Sequence, residues 1–77
     1  MVLKLQKRPE NPLDCRLVYL DSKGNLDKVL GYIYGWRENG SYWYRATIHS
    51  GLIHGKDFQD PKEACAWIIE KRSELQI

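Results

Sequence analysis

Little in this chain is long, repeated or extreme, and each shortage removes a class of function. No apolar run approaches the ~20 residues that a membrane-crossing helix needs. The N-terminus alternates Leu3-Lys4-Leu5 and then turns basic, which is not the pattern of a signal peptide. A cytoplasmic location and no membrane partner are therefore expected. Only two cysteines are present. Cys15 falls in an expected strand and Cys65 in an expected helix, so buried free thiols are expected rather than a Cys15–Cys65 disulfide. Their spacing with His49 and His54 matches no paired-ligand pattern, and a closed zinc site takes four convergent donors. No metal and no cofactor are expected. The chain has no Gly-rich phosphate loop, nucleophile elbow or paired-carboxylate motif. A domain of 77 residues also leaves little room for a water-excluding pocket. An enzyme is not expected. Net charge is only +2, with Lys and Arg dispersed. Most nucleic-acid-binding domains carry a larger basic excess.

What is present is aromatic, and it is concentrated. Of three Trp, five Tyr and one Phe, six (Tyr32, Tyr34, Trp36, Tyr42, Trp43 and Tyr44) fall in one stretch. That stretch, Val29 to His49, turns about Asn39-Gly40. Asn-Gly between strand-forming runs predicts a two-residue type I′ turn, because both central residues must take φ > 0. Counting outward pairs Glu38 with Ser41, Trp36 with Trp43, Tyr34 with Arg45, Tyr32 with Thr47 and Leu30 with His49. Alternation then sorts the hairpin into two faces. Ile33, Tyr44, Ala46 and Ile48, with Gly31 and Gly35 leaving a groove, make a seat for a helix. Tyr32, Tyr34, Trp36, Trp43, Arg45, Thr47 and His49 make the other face.

The flanks complete the domain. Residues 1–14 read as a partly flexible arm: Val2, Leu3 and Leu5 can add an edge strand, while Pro9 and Pro12 break a ladder. Cys15 to Leu20 reads as a strand, and Asp21 to Asn25 as a loop that returns the chain near Asp27. Ser50-Gly51 predicts another tight turn, pairing Thr47 with His54, Ala46 with Gly55 and Arg45 with Lys56; a slip of one residue would invert that strand's faces. Asp60-Pro61-Lys62-Glu63 is a helix start, with an N-cap acid, proline at the first helical position and a glutamate placed to close a capping box. Ala64, Trp67, Ile68, Lys71 and Leu75 follow at helical spacing, with Trp67 and Ile68 expected against the glycine groove. Asp57 and Asp60 read as strand-end and cap residues. The expected fold is α+β: a four-stranded antiparallel meander with one C-terminal helix on one face, forming a single domain over residues 15–77.

One helix covers one face, so the aromatic face is left to water or a partner. Tyr32, Tyr34, Trp36, Trp43, Arg45, His49, His54 and Lys56 combine stacking surfaces, donors and positive charge, which is the chemistry that binds nucleic acid. A protein partner or a homodimer fits the same residues, as in a small regulatory or inhibitor protein, since Trp, Tyr and Arg dominate such interfaces. Sheet stiffening by a Trp36–Trp43 pair and a Tyr34–Arg45 cation–π pair is the third reading. Nucleic acid is slightly favoured. From about Tyr34 to Leu75 the chain resembles the AP2-like and integrase arm-binding domains at the N-termini of tyrosine recombinases. The shared pattern is Gly35-Trp36-Arg37-Glu38-Asn39-Gly40-Ser41-Tyr42-Trp43-Tyr44-Arg45, then a short strand and Phe58-Gln59-Asp60-Pro61-Lys62-Glu63-Ala64 leading into the helix. The resemblance implies a three-stranded sheet on a helix with its outer face against DNA. It also places Trp36, Arg37, Trp43, Arg45 and Lys56 on the surface presented to DNA.

Overall fold

The computed structural model describes residues 2–48 and 55–75. Five strands and one helix follow in chain order: β1 (Val2–Arg8), β2 (Asn11–Leu20), β3 (Leu26–Glu38), β4 (Ser41–Thr47), β5 (Lys56–Phe58) and α1 (Pro61–Leu75). The sheet is antiparallel throughout and its spatial order is the chain order. The α+β class holds, with five strands where four were expected.

The additional strand comes from the stretch expected as an arm. β1 pairs with β2 from Val2↔Leu20 to Lys7↔Cys15, and Arg8↔Asn11 closes the hairpin across Pro9-Glu10. The prolines do not prevent this, because neither has to donate to a ladder. Pro9 occupies the first central position of the turn, where its fixed φ is an asset. Pro12 lies in the irregular stretch of β2 where the register jumps between Asn11 and Cys15. Two side chains replace the interrupted ladder there. Asn11 Oδ1 accepts from the Leu13 N–H at 3.2 Å, and Asp14 Oδ1 accepts from the Gly35 N–H at 3.1 Å.

The central hairpin forms in the register that Asn39-Gly40 predicts, from Glu38↔Ser41 to Tyr32↔Thr47. Asn39 and Gly40 take φ of 51° and 82°, the left-handed values of a type I′ turn. Ile33 and Ala46 face the helix and are fully buried with Leu17, Leu30, Ala64 and Ile68. Leu30 is there because β3 bulges: Leu17 pairs with Gly31 but Val18 with Val29, leaving Leu30 as the extra residue. Its carbonyl accepts from Arg72 Nη1 at 3.0 Å, so a cation in the helix's last turns serves the irregular backbone.

The helix begins as its sequence predicts, with Lys62 N–H donating to Asp60 Oδ1 at 2.9 Å. Ile68 seats against Gly31, where an added Cβ would stand 2.8 Å from Ile68 Cγ2 and 2.7 Å from the Thr47 carbonyl oxygen. The rest of the groove is filled otherwise than expected. Gly35 is met by Leu13, whose Cβ would lie 2.8 Å from an added methyl. Trp67 instead tilts against Phe58 of β5, ring centroids 6.4 Å apart. Leu75 is exposed.

The last strand departs most. β5 pairs Tyr44↔Phe58, Arg45↔Asp57 and Ala46↔Lys56, one residue out of the expected register. The slip exchanges faces. Asp57, not Lys56, stands beside Arg45, and Phe58 turns to the helix side to meet Trp67. Hydrophobic patterning explains the choice. The only Phe in the chain packs against the core, at the cost of exposing an aspartate that has a cation waiting. The expected Ser50-Gly51 turn and His49 lie outside the described residues.

Candidate functional site

Because Ile33 and Ala46 point into the core, their neighbours on β3 and β4 point away from it. Tyr32, Tyr34, Trp36, Trp43 and Arg45 therefore share the outer face, as expected. Arg37 and Lys56 do not. Arg37 pairs with Tyr42 on the helix side of the sheet, its Cζ 5.6 Å from that ring's centroid. Lys56, opposite Ala46, extends its amine over Phe58 at 5.5 Å. His54 lies outside the described residues.

The outer face itself divides in two. Toward β5 its polar groups are already engaged. Arg45 is held by Asp57 in a two-point contact, Nε–Oδ1 2.7 Å and Nη2–Oδ2 3.1 Å, and its guanidinium stands 5.5 Å from the Trp36 ring centroid rather than over Tyr34. The Trp36 indole N–H reaches Glu38 Oε2 at 3.3 Å. The hydrogen bond from Arg45 holds the Asp57 carboxyl below its ordinary range, against partial desolvation and with help from the guanidinium charge. The same pairing raises Arg45. A cation between a carboxylate and an indole is a structural brace, and little of its charge remains for a ligand.

Toward β1 the face is recessed. A cavity of about 650 Å³ opens over β1, β2 and β3. Tyr32 and Tyr34 line one side, with ring centroids 6.5 Å apart and planes within 16° of parallel. Lys4, Gln6 and Arg8 line the other, and Asp14 and Arg16 lie between. Register explains the convergence: Gln6, Arg16 and Tyr32 stand side by side across three strands. Arg16 Nε donates to Gln6 Oε1 at 2.9 Å, and its two terminal nitrogens make no hydrogen bond among the described residues. Arg8 is shared between Glu10 at 3.3 Å and Asp14 at 3.7 Å. Among the described residues no carboxylate pairs with Lys4 or Arg16.

No family model, curated protein or solved structure matches the chain. The chemistry of the site therefore rests on its own geometry. Tyr32 and Tyr34 were legible from the hairpin, but Lys4, Gln6 and Arg16 were not singled out. The signal was present in Val2-Leu3-Lys4-Leu5-Gln6, whose alternation puts Lys4 and Gln6 on one face of a strand. Reading the prolines as breakers concealed it.

The cysteines sit on the helix side, partly buried against the core, and both are free. Burial pushes the Cys15 thiol up to about 11, with the neighbouring Cys65 and Asp14 adding to the effect. Burial likewise raises Cys65, with Asp60 contributing. Neither is poised as a nucleophile, since the reactive species is the thiolate. Among the described residues no cluster of His, Cys, Asp and Glu is arranged to hold a metal.

Proposed function

We propose that this chain is a small, non-enzymatic binding module whose ligand is nucleic acid, held on the outer face of the sheet. One observation carries the reading. The helix occupies the other face, while the outer face pairs stacked tyrosines with two cations, Lys4 and Arg16, that no described carboxylate neutralises. Rings offer π-surfaces to bases at ~1–3 kcal/mol each, and cations displace the counterions of phosphates. The resemblance to arm-binding domains implies the same ligand class, but of the residues it presents to DNA only Trp36, Trp43 and Arg45 lie on this face. The site, however, is centred on Tyr32, Tyr34, Lys4 and Arg16 rather than on Arg45, whose charge is used within the sheet.

The test is a titration of the isotopically labelled chain with mixed-sequence DNA and RNA, following amide shifts and repeating the binding curve across salt concentrations. Shifts along β1–β3 and an affinity that falls steeply with salt support the reading. A salt-insensitive association that grows with protein concentration in sedimentation would replace it with a self-association interface.

A further inference from the structure

We propose that the recess takes an unpaired strand, with successive bases laid on Tyr32 and Tyr34, and does not take a duplex. The inference rests on the nucleic-acid reading above and narrows it. The first reason is shape. A sheet that reads duplex DNA projects into a groove about 12 Å wide. Here the cationic, aromatic part of the face is concave, at about 650 Å³. That is the scale of a small-ligand pocket, suited to enclosing one or two bases rather than to entering a groove.

The second reason is access to the rings. Tyr32 and Tyr34 are alternate residues on one strand, so their rings repeat at 6.5 Å, close to twice the ~3.3 Å strand rise. Bases within a duplex repeat at about 3.4 Å along each strand, with their π-faces covered by their neighbours. The 6.5 Å spacing of the rings is about two such intervals, so it is the covered π-faces that exclude a duplex: its stacked bases offer neither ring an open face. A strand with its bases splayed can place one on each, and unstacked bases on aromatic rings are how single strands are bound.

The third reason is the placement of charge. Arg16, on β2, is registered directly opposite Tyr32, and Lys4 lies one strand further out, on β1. Both cations thus lie on the β1 and β2 side of the rings, where a backbone running past its bases would pass. Asp14 is the one carboxylate lining the recess among the described residues. It is committed to the Gly35 N–H and to Arg8, and leaves Lys4 and Arg16 for phosphates. Two phosphate contacts predict a log–log salt slope of about −1.4 for a single strand.

The experiment uses the whole chain and three fluorescent probes: a mixed-sequence DNA strand of about eight nucleotides, within single-strand site sizes, its RNA counterpart, and the DNA strand annealed to its complement. Single strands are expected to bind at least roughly 10-fold tighter than the duplex, with amide shifts at Gln6, Arg16, Tyr32 and Tyr34. Tyr34→Ala should weaken single-strand binding roughly 5- to 150-fold, the range for losing one stacked base. Tyr34→Phe, which keeps the ring, should restore it. Lys4→Glu, on an exposed edge-strand position, covers the case where Tyr34→Ala fails to fold; it should weaken binding and flatten the salt slope. Lys62→Ala on the helix should change nothing. Equal or tighter duplex binding would overturn the single-strand inference while leaving nucleic acid as the ligand. Single-strand binding with shifts confined to Trp43, Arg45 and Asp57 would overturn the recess as the site. Binding of none of the three probes would overturn the nucleic-acid reading itself, and this inference with it.

Discussion

The contact between Gly31 and Ile68 ties the helix to the sheet, and a double-mutant cycle measures it. A methyl at position 31 would stand 2.8 Å from Ile68 Cγ2, 3.0 Å from Ile68 Cδ1 and 2.7 Å from the Thr47 carbonyl oxygen. The carbonyl belongs to the β4 backbone and cannot rotate away, so the helix or the strand must move. Overpacking of this kind costs ~1–3 kcal/mol. Replacing Gly by Ala also stiffens the unfolded chain and returns ~0.4–1 kcal/mol. The difference leaves Gly31→Ala destabilised by up to roughly 2.6 kcal/mol. Ile68→Ala, at a fully buried position, should lose ~2–5 kcal/mol through transfer energy and the cavity left behind. Against a stability of about 4–12 kcal/mol for a domain of this length, both are measurable by urea unfolding, at ~4–8 °C of melting temperature per kcal/mol. In the double variant the methyl added at position 31 enters the space that the truncated side chain of helix position 68 vacates. The double variant should therefore lose less than the sum of the two single losses by ~0.5–3 kcal/mol, the range for residues in contact. Ile68→Val, at ~0.5–1.5 kcal/mol, removes Cδ1 but keeps the closer Cγ2, so its coupling to Gly31→Ala should be smaller. Additivity within about 0.5 kcal/mol would show that Ile68 does not sit over Gly31, and the helix placement would fall with it.

Three further outcomes are expected. The Asp57 carboxyl is held low by Arg45, so the pair stabilises the fold above the ordinary carboxylate pKa of 3.8 and loses that contribution as pH falls through the lowered folded value. Asp57→Asn should lower the melting temperature by no more than a few degrees at neutral pH, as for an exposed pair, and the gap to wild type should close in acid; a gap that widens in acid contradicts the pairing. Cys15, raised from 9.0 to about 11, should carry about two decades less thiolate than an exposed thiol and react correspondingly slowly with a thiol reagent until the chain unfolds; the linked stability is present below pH 9.0 and lost as pH rises toward about 11. Gly40 sits at φ 82° with open space about it, so Gly40→Ala should cost ~1–2 kcal/mol from the left-handed backbone alone, whereas an unchanged unfolding midpoint would argue against the type I′ turn.

The parts of the fold that were legible in the sequence are those set by interactions between near neighbours. Asn39-Gly40 specifies a turn through the φ values its two residues tolerate, and a two-residue turn leaves one register for the whole hairpin, down to Tyr32 opposite Thr47. Asp60-Pro61 specifies a helix start because the acid accepts from an orphan N–H and the proline has none to satisfy, both within one turn. From those two signals the helix side and the outer side of β3 and β4 follow by alternation, which is why Tyr32, Tyr34, Trp36, Trp43 and Arg45 were placed together correctly.

What only the tertiary structure decided are pairings between segments that carry no strong turn. Whether Val2–Arg8 joins the sheet depends on Leu5 finding the core and on Asp14 replacing the ladder across the Pro12 irregularity, and neither is visible in local propensity. Whether Arg45 meets Lys56 or Asp57 depends on which register buries Phe58 against Trp67, a contact with a helix that follows in the chain. Those two decisions moved the candidate site. The second neutralised Arg45 with a carboxylate, and the first brought Lys4 and Arg16 to the tyrosines. Local sequence thus determined which rings face outward. Long-range burial determined which charges stand beside them, because a strand's register follows the apolar side chain with most to lose in water.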